Sequence, residues 1–181
     1  MKKILMLAVA LTAVGSGYAD AQIPDLEEMR SLAYQGDARA QYNLGTMYAN
    51  GEGVPEDDVE AARLYRLAAD QGLAEAQASL GYMYDFGHGV PEDGVEAARL
   101  YRLAADQGDA PAQYFLGLMY VLGDGVPQDL VQAYMWLNLA AAQGEGDALE
   151  IKSMIEKDMT REQIAEGQRM SREWMARHPP E

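Results

Sequence analysis

The sequence predicts an all-α protein, an α/α solenoid of stacked helical hairpins with capping helices at both ends. The first observation is a unit of 36 residues that recurs three times without insertion, over 35–70, 71–106 and 107–142. The second is that each unit carries the start and stop signals of two helices, with no strand pattern of period two. A unit of this length cannot bury its apolar face alone, so successive units must stack.

The N-terminal segment 1–21 is predicted to be a secretory signal peptide. Two lysines precede a short apolar stretch, and residues 19–21 have the small-x-small pattern of a cleavage site. Cleavage is expected between Ala21 and Gln22, with cleavage after Ala19 as the alternative. The apolar stretch is too short for a permanent membrane helix, so we expect a periplasmic or secreted bacterial protein without a stable membrane anchor after cleavage.

The composition limits the classes of partner. The formal net charge of −15 argues against nucleic acids and anionic membrane surfaces, because the long-range field repels both. The same field attracts a basic protein or peptide; the alternative is that the acidity only keeps an exported protein soluble. The chain has no cysteine, which excludes disulfides and thiol catalysis, so stability has to come from helix stacking.

An N-terminal capping helix is predicted within 22–34. Arg30 and Ala33 precede Arg66 and Ala69 of the first repeat by one repeat length. Because the spacing of the second helix is kept, we interpret this segment as a lone second helix that covers the first repeat.

Each repeat is predicted to contain two helices joined by a loop. In the first copy Asp37 occupies the N-cap position of the first helix, and Gly51 and Gly53 end that helix. Asp57, with Glu60 three residues later, has the capping-box pattern that begins the second helix. The equivalent pairs in the other copies are Asp93 with Glu96 and Asp129 with Gln132.

A glycine recurs in the middle of each first helix, at Gly45, Gly81 and Gly117. A mid-helix glycine costs about 1 kcal/mol relative to alanine. Its repetition predicts that two helices approach each other too closely for a side chain at this position. We therefore assign these glycines to the scaffold.

The C-terminal segment 143–181 is predicted to form capping helices. The second helix of the third copy carries Tyr134 and Trp136 where the earlier copies have alanine and leucine, and this added apolar surface needs a cover. Thr160 and Gln163 have the capping-box pattern of a helix start. One face of the helix that follows is expected to supply the cover, through Ile164, Ser171, Trp174 and Met175.

The repeats share a set of alanine, glycine, aromatic and aliphatic positions. In the first copy these are Ala38, Ala40, Gln41, Leu44, Gly45, Met47, Tyr48, Gly51, Gly53, Val54, Pro55, Asp57, Ala61, Tyr65, Ala68, Ala69, Gln71 and Gly72. This pattern resembles the Sel1-like repeat, a relative of the tetratricopeptide repeat with a longer loop between its helices. The resemblance covers 35–142 and implies a solenoid that acts as an adaptor, scaffold or regulator through protein contacts. Some exported relatives cross-link the helices of each repeat with cysteines, and this chain departs from them.

Differences between the copies predict the surface that binds a partner. The first two copies are identical at 27 of 36 positions, and eight of the nine changes lie in or beside the first helix. The changes within the helix form one narrow stripe, opposite the unchanged residues. First helices of a solenoid line one continuous surface, so we expect this stripe to contact a protein or peptide. The predicted residues are Arg39, Tyr42, Asn43, Thr46, Asn50, Glu75, Ser79, Tyr82, Asp85, Phe86, Tyr114, Phe115, Leu118 and Leu122.

The stripe is unusually apolar in the third copy, where it includes Tyr114, Phe115, Leu118 and Leu122. An apolar patch of that size is rarely left in water. Either it is itself a binding surface, or a terminal segment of the same chain covers it.

We expect no catalytic, cofactor or metal site. The two histidines, His88 and His178, show no recurring spacing to a nucleophile or to other metal ligands. The acidic loops lack the alternating carboxylates and central glycine of a calcium loop. The favoured function is therefore an exported adaptor, and the rival, a cell-envelope hydrolase of β-lactamase type, is disfavoured because its catalytic motifs are missing.

Overall fold

The computed structural model describes residues 26–179, and within this range it contains nine α-helices and no strand. The predicted signal peptide and its cleavage site at Ala21 and Gln22 lie outside the described residues. Among the helices of residues 26–179, none is both long and apolar enough to cross a membrane. The helices are α1 (Leu26–Tyr34), α2 (Ala38–Asn50), α3 (Asp58–Asp70), α4 (Ala74–Phe86), α5 (Gly94–Asp106), α6 (Ala110–Leu122), α7 (Leu130–Ala142), α8 (Gly146–Ile155) and α9 (Arg161–Arg177).

The helices pack in chain order as a row of hairpins, which confirms the predicted all-α solenoid. Helices α2 and α3, α4 and α5, and α6 and α7 form the three hairpins, and the second helix of each packs on the first helix of the next. Helix α1 packs on α2 at one end, and α8 and α9 both pack on α7 at the other.

Most of the helices begin at a residue whose side chain caps them, whereas α4 and α8 begin without such a hydrogen bond. The side chain of Asp37 accepts a hydrogen bond from the backbone N–H of Ala40, and Asp57 accepts one from Glu60. The capping box predicted for Asp57 and Glu60 is only half formed, because the Glu60 carboxylate binds Arg63 instead of reaching back. The backbone N–H of Asp57, which a capping box would use, already donates to the carbonyl of Tyr48. The complete capping box is at Thr160 and Gln163.

The mid-helix glycines mark the closest approach between the two helices of each hairpin, as predicted. A Cβ added at Gly45 would lie 2.9 Å from the ring of Tyr65, and one at Gly81 would lie 3.0 Å from Tyr101. In the third hairpin, a Cβ at Gly117 would lie 2.8 Å from Leu137 Cγ. These distances leave no room for a methyl group without movement of the second helix.

A ladder of buried glutamine amides joins each hairpin to the next. The Gln77 side chain donates to the carbonyl of Ala69 in the preceding helix, at 3.2 Å. Its amide oxygen accepts a hydrogen bond from Gln107, at 2.8 Å. The same two bonds recur at Gln41 and at Gln113. Because these side chains are almost fully buried, the ladder fixes the relative position of neighbouring repeats.

The C-terminal helices end the solenoid in different ways. Helix α8 takes the position of a fourth first helix, with Ala148 as deeply buried as Ala112. Lys152, where the repeats have leucine, donates to Asn138 instead of entering a core. Helix α9 then folds back on α7, where Ser171 and Trp174 are buried.

The prediction that Met175 belongs to the covering face of α9 is wrong. Met175 is 41% exposed, whereas Met170, one turn earlier, packs against the core. The buried residues of α9 are Gly167, Ser171 and Trp174, which are three and four residues apart, so Met175 lies beyond the edge of the face that packs on α7.

Candidate functional site

The first helices of the three repeats form the sides of a groove of about 550 Å³. Helices α2 and α4 supply most of its surface, and the start of α6 closes one end. The two loops that follow α2 and α4 contribute its opposite edge. The lining residues are Tyr42, Ala49, Asn50, Glu56, Asp58, Tyr65, Glu75, Ala78, Ser79, Tyr82, Met83, His88, Asp109, Pro111 and Phe115.

Aromatic rings form the apolar part of the groove. The ring of Tyr82 lies 4.6 Å from that of Phe86 and 6.0 Å from that of Phe115, centroid to centroid. The imidazole of His88 stacks on Tyr82 with 9° between the planes. Tyr82 is nevertheless 36% exposed, so part of the ring is free to contact a partner.

Carboxylates surround these rings. Four of the lining residues, Glu56, Asp58, Glu75 and Asp109, are acidic, and no lining residue is lysine or arginine. The side chain of Asp58 lies 3.8 Å from His88, measured between Oδ2 and Nδ1. Burial raises the pKa of Asp109, which caps α6, and the negative charge of Glu75 raises it further. The groove therefore has a negative potential.

One arginine binds a carboxylate of the groove from outside. Arg39 on α2 forms an ion pair of 2.7 Å with Glu75 on α4. Burial by itself would raise the pKa of Glu75. The hydrogen bond from Arg39, a backbone hydrogen bond and the positive charge of Arg39 together outweigh burial and hold the pKa below its ordinary value. The Arg39 side chain is 57% exposed, so it remains within reach of solvent.

The structure brings six of the predicted contact residues together in the groove. They are Tyr42, Asn50, Glu75, Ser79, Tyr82 and Phe115. Arg39 and Phe86 lie next to it, through Glu75 and Tyr82 respectively.

The remaining predicted residues lie elsewhere. Thr46 accepts a hydrogen bond from the hydroxyl of Tyr65 within its own repeat. Asn43, Asp85 and Leu118 are partly buried and do not line the groove, and Leu122 is 65% exposed.

The prediction for Tyr114 is wrong. This side chain is 4% exposed and belongs to the apolar cluster that contains Ala148 and Ile155 of α8. The C-terminal segment therefore covers this part of the apolar stripe, as the second of the two alternatives requires.

The comparison of the first helices of the repeats did not identify the groove residues that lie outside those helices. Glu56 and His88 reach it from loops, Asp58 from the first residue of α3, and Asp109 from the N-cap of α6. A signal was present for His88, because the equivalent positions are Glu52 and Asp124 in the other copies. Comparison of the loops in the same way as the helices would have identified it.

The residues that the structure describes include no group of three or more histidine, aspartate or glutamate side chains that could hold a metal ion. The polar groups of the groove are hydroxyls, an amide, carboxylates and the imidazole of His88, spread over three repeats. This arrangement suits binding of an extended surface.

The stacked hairpins and the groove across their first helices define a helical-repeat protein of the tetratricopeptide type. Within that class, the chain belongs to the Sel1 repeat family, whose model matches residues 38–73, 74–109 and 110–145. The resemblance found in the sequence is thereby confirmed. Proteins of this family generally mediate protein–protein interactions as non-catalytic scaffolds. No curated protein matches the sequence.

Solved structures agree with this assignment. The chain is 43% identical to a Sel1 repeat protein from Oxalobacter formigenes, with a TM-score of 0.65 over 71% of this chain and 97% of that one. It is 39% identical to a protective antigen with an SLR fold present in uropathogenic Escherichia coli strains, with a TM-score of 0.72 over 80% of this chain and 32% of that longer one. Helicobacter pylori cysteine rich protein B, at 21% identity, shares the fold, with a TM-score of 0.54 over 71% of this chain and 98% of that one.

Proposed function

We propose that this chain is an exported, non-enzymatic adaptor that binds another protein or peptide in the groove of its first helices. The observation that carries the proposal is the groove itself, in which the partly exposed ring of Tyr82 lies among other aromatic side chains. Tyrosine supplies a large contact area with few torsions to freeze, and is enriched at the centres of protein interfaces.

The distribution of sequence differences supports the same conclusion. Gly45 and Gln41, which pack within the stack of hairpins, are identical in all three copies. Residues that line the groove differ between copies, as at Tyr42 and its counterpart Ala78. Packing residues that are the same in every repeat, together with surface residues that differ between repeats, are typical of a protein that binds a partner.

Export rests on the N-terminal segment 1–21, whose pattern is that of a cleaved signal peptide. Mass spectrometry of the protein from fractionated cells tests this step. A mature chain beginning at Gln22 in the periplasm or medium is expected, and an intact N-terminus in the cytoplasm would contradict it.

Site-directed cross-linking tests the binding site. A photoreactive amino acid at Ser79 in the groove should cross-link a partner in the native envelope. The same group at Leu103, which is exposed on the second helix α5, is the control and should not. Cross-links from Leu103 but not from Ser79 would place the interface on another face.

The identified partner then allows a quantitative test. Tyr82→Ala should weaken binding about tenfold or more, as expected for an aromatic side chain at the centre of an interface. Leu103→Ala removes a comparable apolar side chain outside the groove and should leave the affinity unchanged.

A further inference from the structure

We infer that the groove recognises a cationic segment, and that an arginine side chain of the partner lies on Tyr82 with its guanidinium against the groove carboxylates. This inference rests on the proposed function, because it names the partner chemistry of the same groove. It adds a selectivity for charge that the adaptor function alone does not require.

The first argument is the charge of the lining. Four carboxylates line the groove without a lysine or arginine among them, and the protein as a whole carries −15. An acidic segment would be repelled on approach, and a neutral one would desolvate the carboxylates without adding a positive charge to offset theirs. A cationic segment would neutralise the negative charge of these carboxylates.

The second argument is the combination of aromatic rings with carboxylates. A guanidinium is attracted to the face of an aromatic ring, and it donates several hydrogen bonds in a plane that matches a carboxylate. The protein already uses this chemistry on its own surface. Arg66 lies 5.7 Å from the ring centre of Tyr84 and donates to its hydroxyl, and Arg102 is placed in the same way over Tyr120.

The third argument is the pair formed by Arg39 and Glu75. Its geometry shows that a guanidinium can reach a carboxylate of the groove, at 2.7 Å. Both side chains are substantially exposed, so the pair is weak and can exchange for an arginine from outside. Arg39 is then a competitor within the chain, and its removal should strengthen binding of a cationic partner.

Peptide binding tests this selectivity. Two labelled peptides of equal length carry either arginine or citrulline, which has the same shape without the charge, at alternate positions. Fluorescence anisotropy should show that the arginine peptide binds and that the citrulline peptide binds at least about tenfold more weakly. Equal binding of the two peptides would overturn the inference.

Variants of the two residues of the ion pair should change the affinity in opposite directions. Misfolding would weaken binding in both variants, so it cannot account for an increase in one of them. Glu75→Gln should weaken binding of the arginine peptide about threefold, whereas Arg39→Gln should strengthen it about twofold. The matched controls are Glu166→Gln and Arg169→Gln on α9, which form an ion pair of 2.6 Å with similar exposure outside the groove. If these controls change the affinity as much as the groove variants, the attraction belongs to the whole protein and the inference fails.

The outcomes for the two proposals are distinguishable. Suppose that Tyr82→Ala weakens binding of the partner captured by cross-linking, while Glu75→Gln and Arg39→Gln have no effect on it. The groove would then be the binding site and the charge selectivity would be wrong. Loss of the cross-link at Ser79 would instead reject the groove as the site.

Discussion

The ring of Tyr101 stacks on the ring of Phe115, with centroids 5.2 Å apart and 12° between the planes. Tyr101 is the counterpart of Tyr65, whose hydroxyl donates to Thr46 at 3.2 Å. The second repeat has Tyr82 in place of Thr46, so this acceptor is missing. Within the described residues, the buried Tyr101 hydroxyl has no hydrogen-bond partner. In the second repeat, the aromatic ring of Tyr82 therefore occurs together with a buried polar group that has no partner.

This difference predicts opposite effects for the same substitution at two equivalent sites. Tyr101→Phe removes a buried hydroxyl that bonds to nothing and should stabilise the protein by about 1 kcal/mol. Tyr65→Phe removes a hydroxyl that is bonded and should cost about 1 kcal/mol. Urea unfolding followed by circular dichroism measures both. Destabilisation by Tyr101→Phe would show that its hydroxyl has a partner.

Local sequence signals were sufficient to predict most of the fold. The caps at Asp37 and Asp57 depend on residues near one another in the chain, and the close approach at Gly45 is marked by a glycine that recurs in every repeat. The incomplete capping box at Glu60 was not predictable in this way. It depends on the carbonyl of Tyr48, which the loop brings to the Asp57 N–H.

The groove could be predicted only in part, for a related reason. Comparison of the copies identified Tyr82 and Ser79, because they differ within a helix whose faces are known from its period. It could not show that α8 covers Tyr114, because a helical wheel does not indicate which helix packs on which face. The loop residue His88 requires the stacking of the repeats to be known before it can be assigned to the groove.

The loop of the second repeat packs closely against the start of α3 at Gly89. A Cβ at this glycine would lie 2.1 Å from the carbonyl oxygen of Asp58 in the preceding repeat. Among residues 26–179, the equivalent Gly53 has one neighbour within 4 Å, Met47 Cε, at 3.4 Å. Both glycines have positive φ, +66° and +74°, so alanine is strained at either position.

Gly89→Ala should therefore destabilise the protein by about 2 to 4 kcal/mol, through the strain and the collision together. Gly53→Ala has the strain without the collision and should cost only about 1 kcal/mol. Thermal unfolding of the two variants tests the comparison. Equal losses would mean that the loop of the second repeat does not rest on α3 in solution.

The glutamine ladder predicts a cost for removing a buried amide. Gln113 is fully buried, donates to the carbonyl of Ala105 and accepts from Gln143. Gln113→Leu leaves that carbonyl without its side-chain donor and should cost about 1 to 3 kcal/mol in urea unfolding. The control is Leu149→Gln on α8, at the equivalent position, where the chain has an exposed leucine. Leu149→Gln should have little effect on the free energy of unfolding. A similar loss of stability in Gln113→Leu and Leu149→Gln would contradict a specific role for the ladder.

Burial of Tyr114 under the C-terminal segment predicts a loss of stability at alkaline pH. Burial, followed by the nearby charges of Asp147, Glu145 and Glu150, raises the pKa of Tyr114 from 10.0 to about 12. Because the folded state keeps the hydroxyl protonated, this contribution to stability is complete below pH 10 and is lost as the pH rises towards 12. Urea unfolding across this interval should show a steeper decline for the natural protein than for Tyr114→Phe, which cannot ionise at this site. Parallel declines would mean that Tyr114 is accessible to water and that α8 does not cover it.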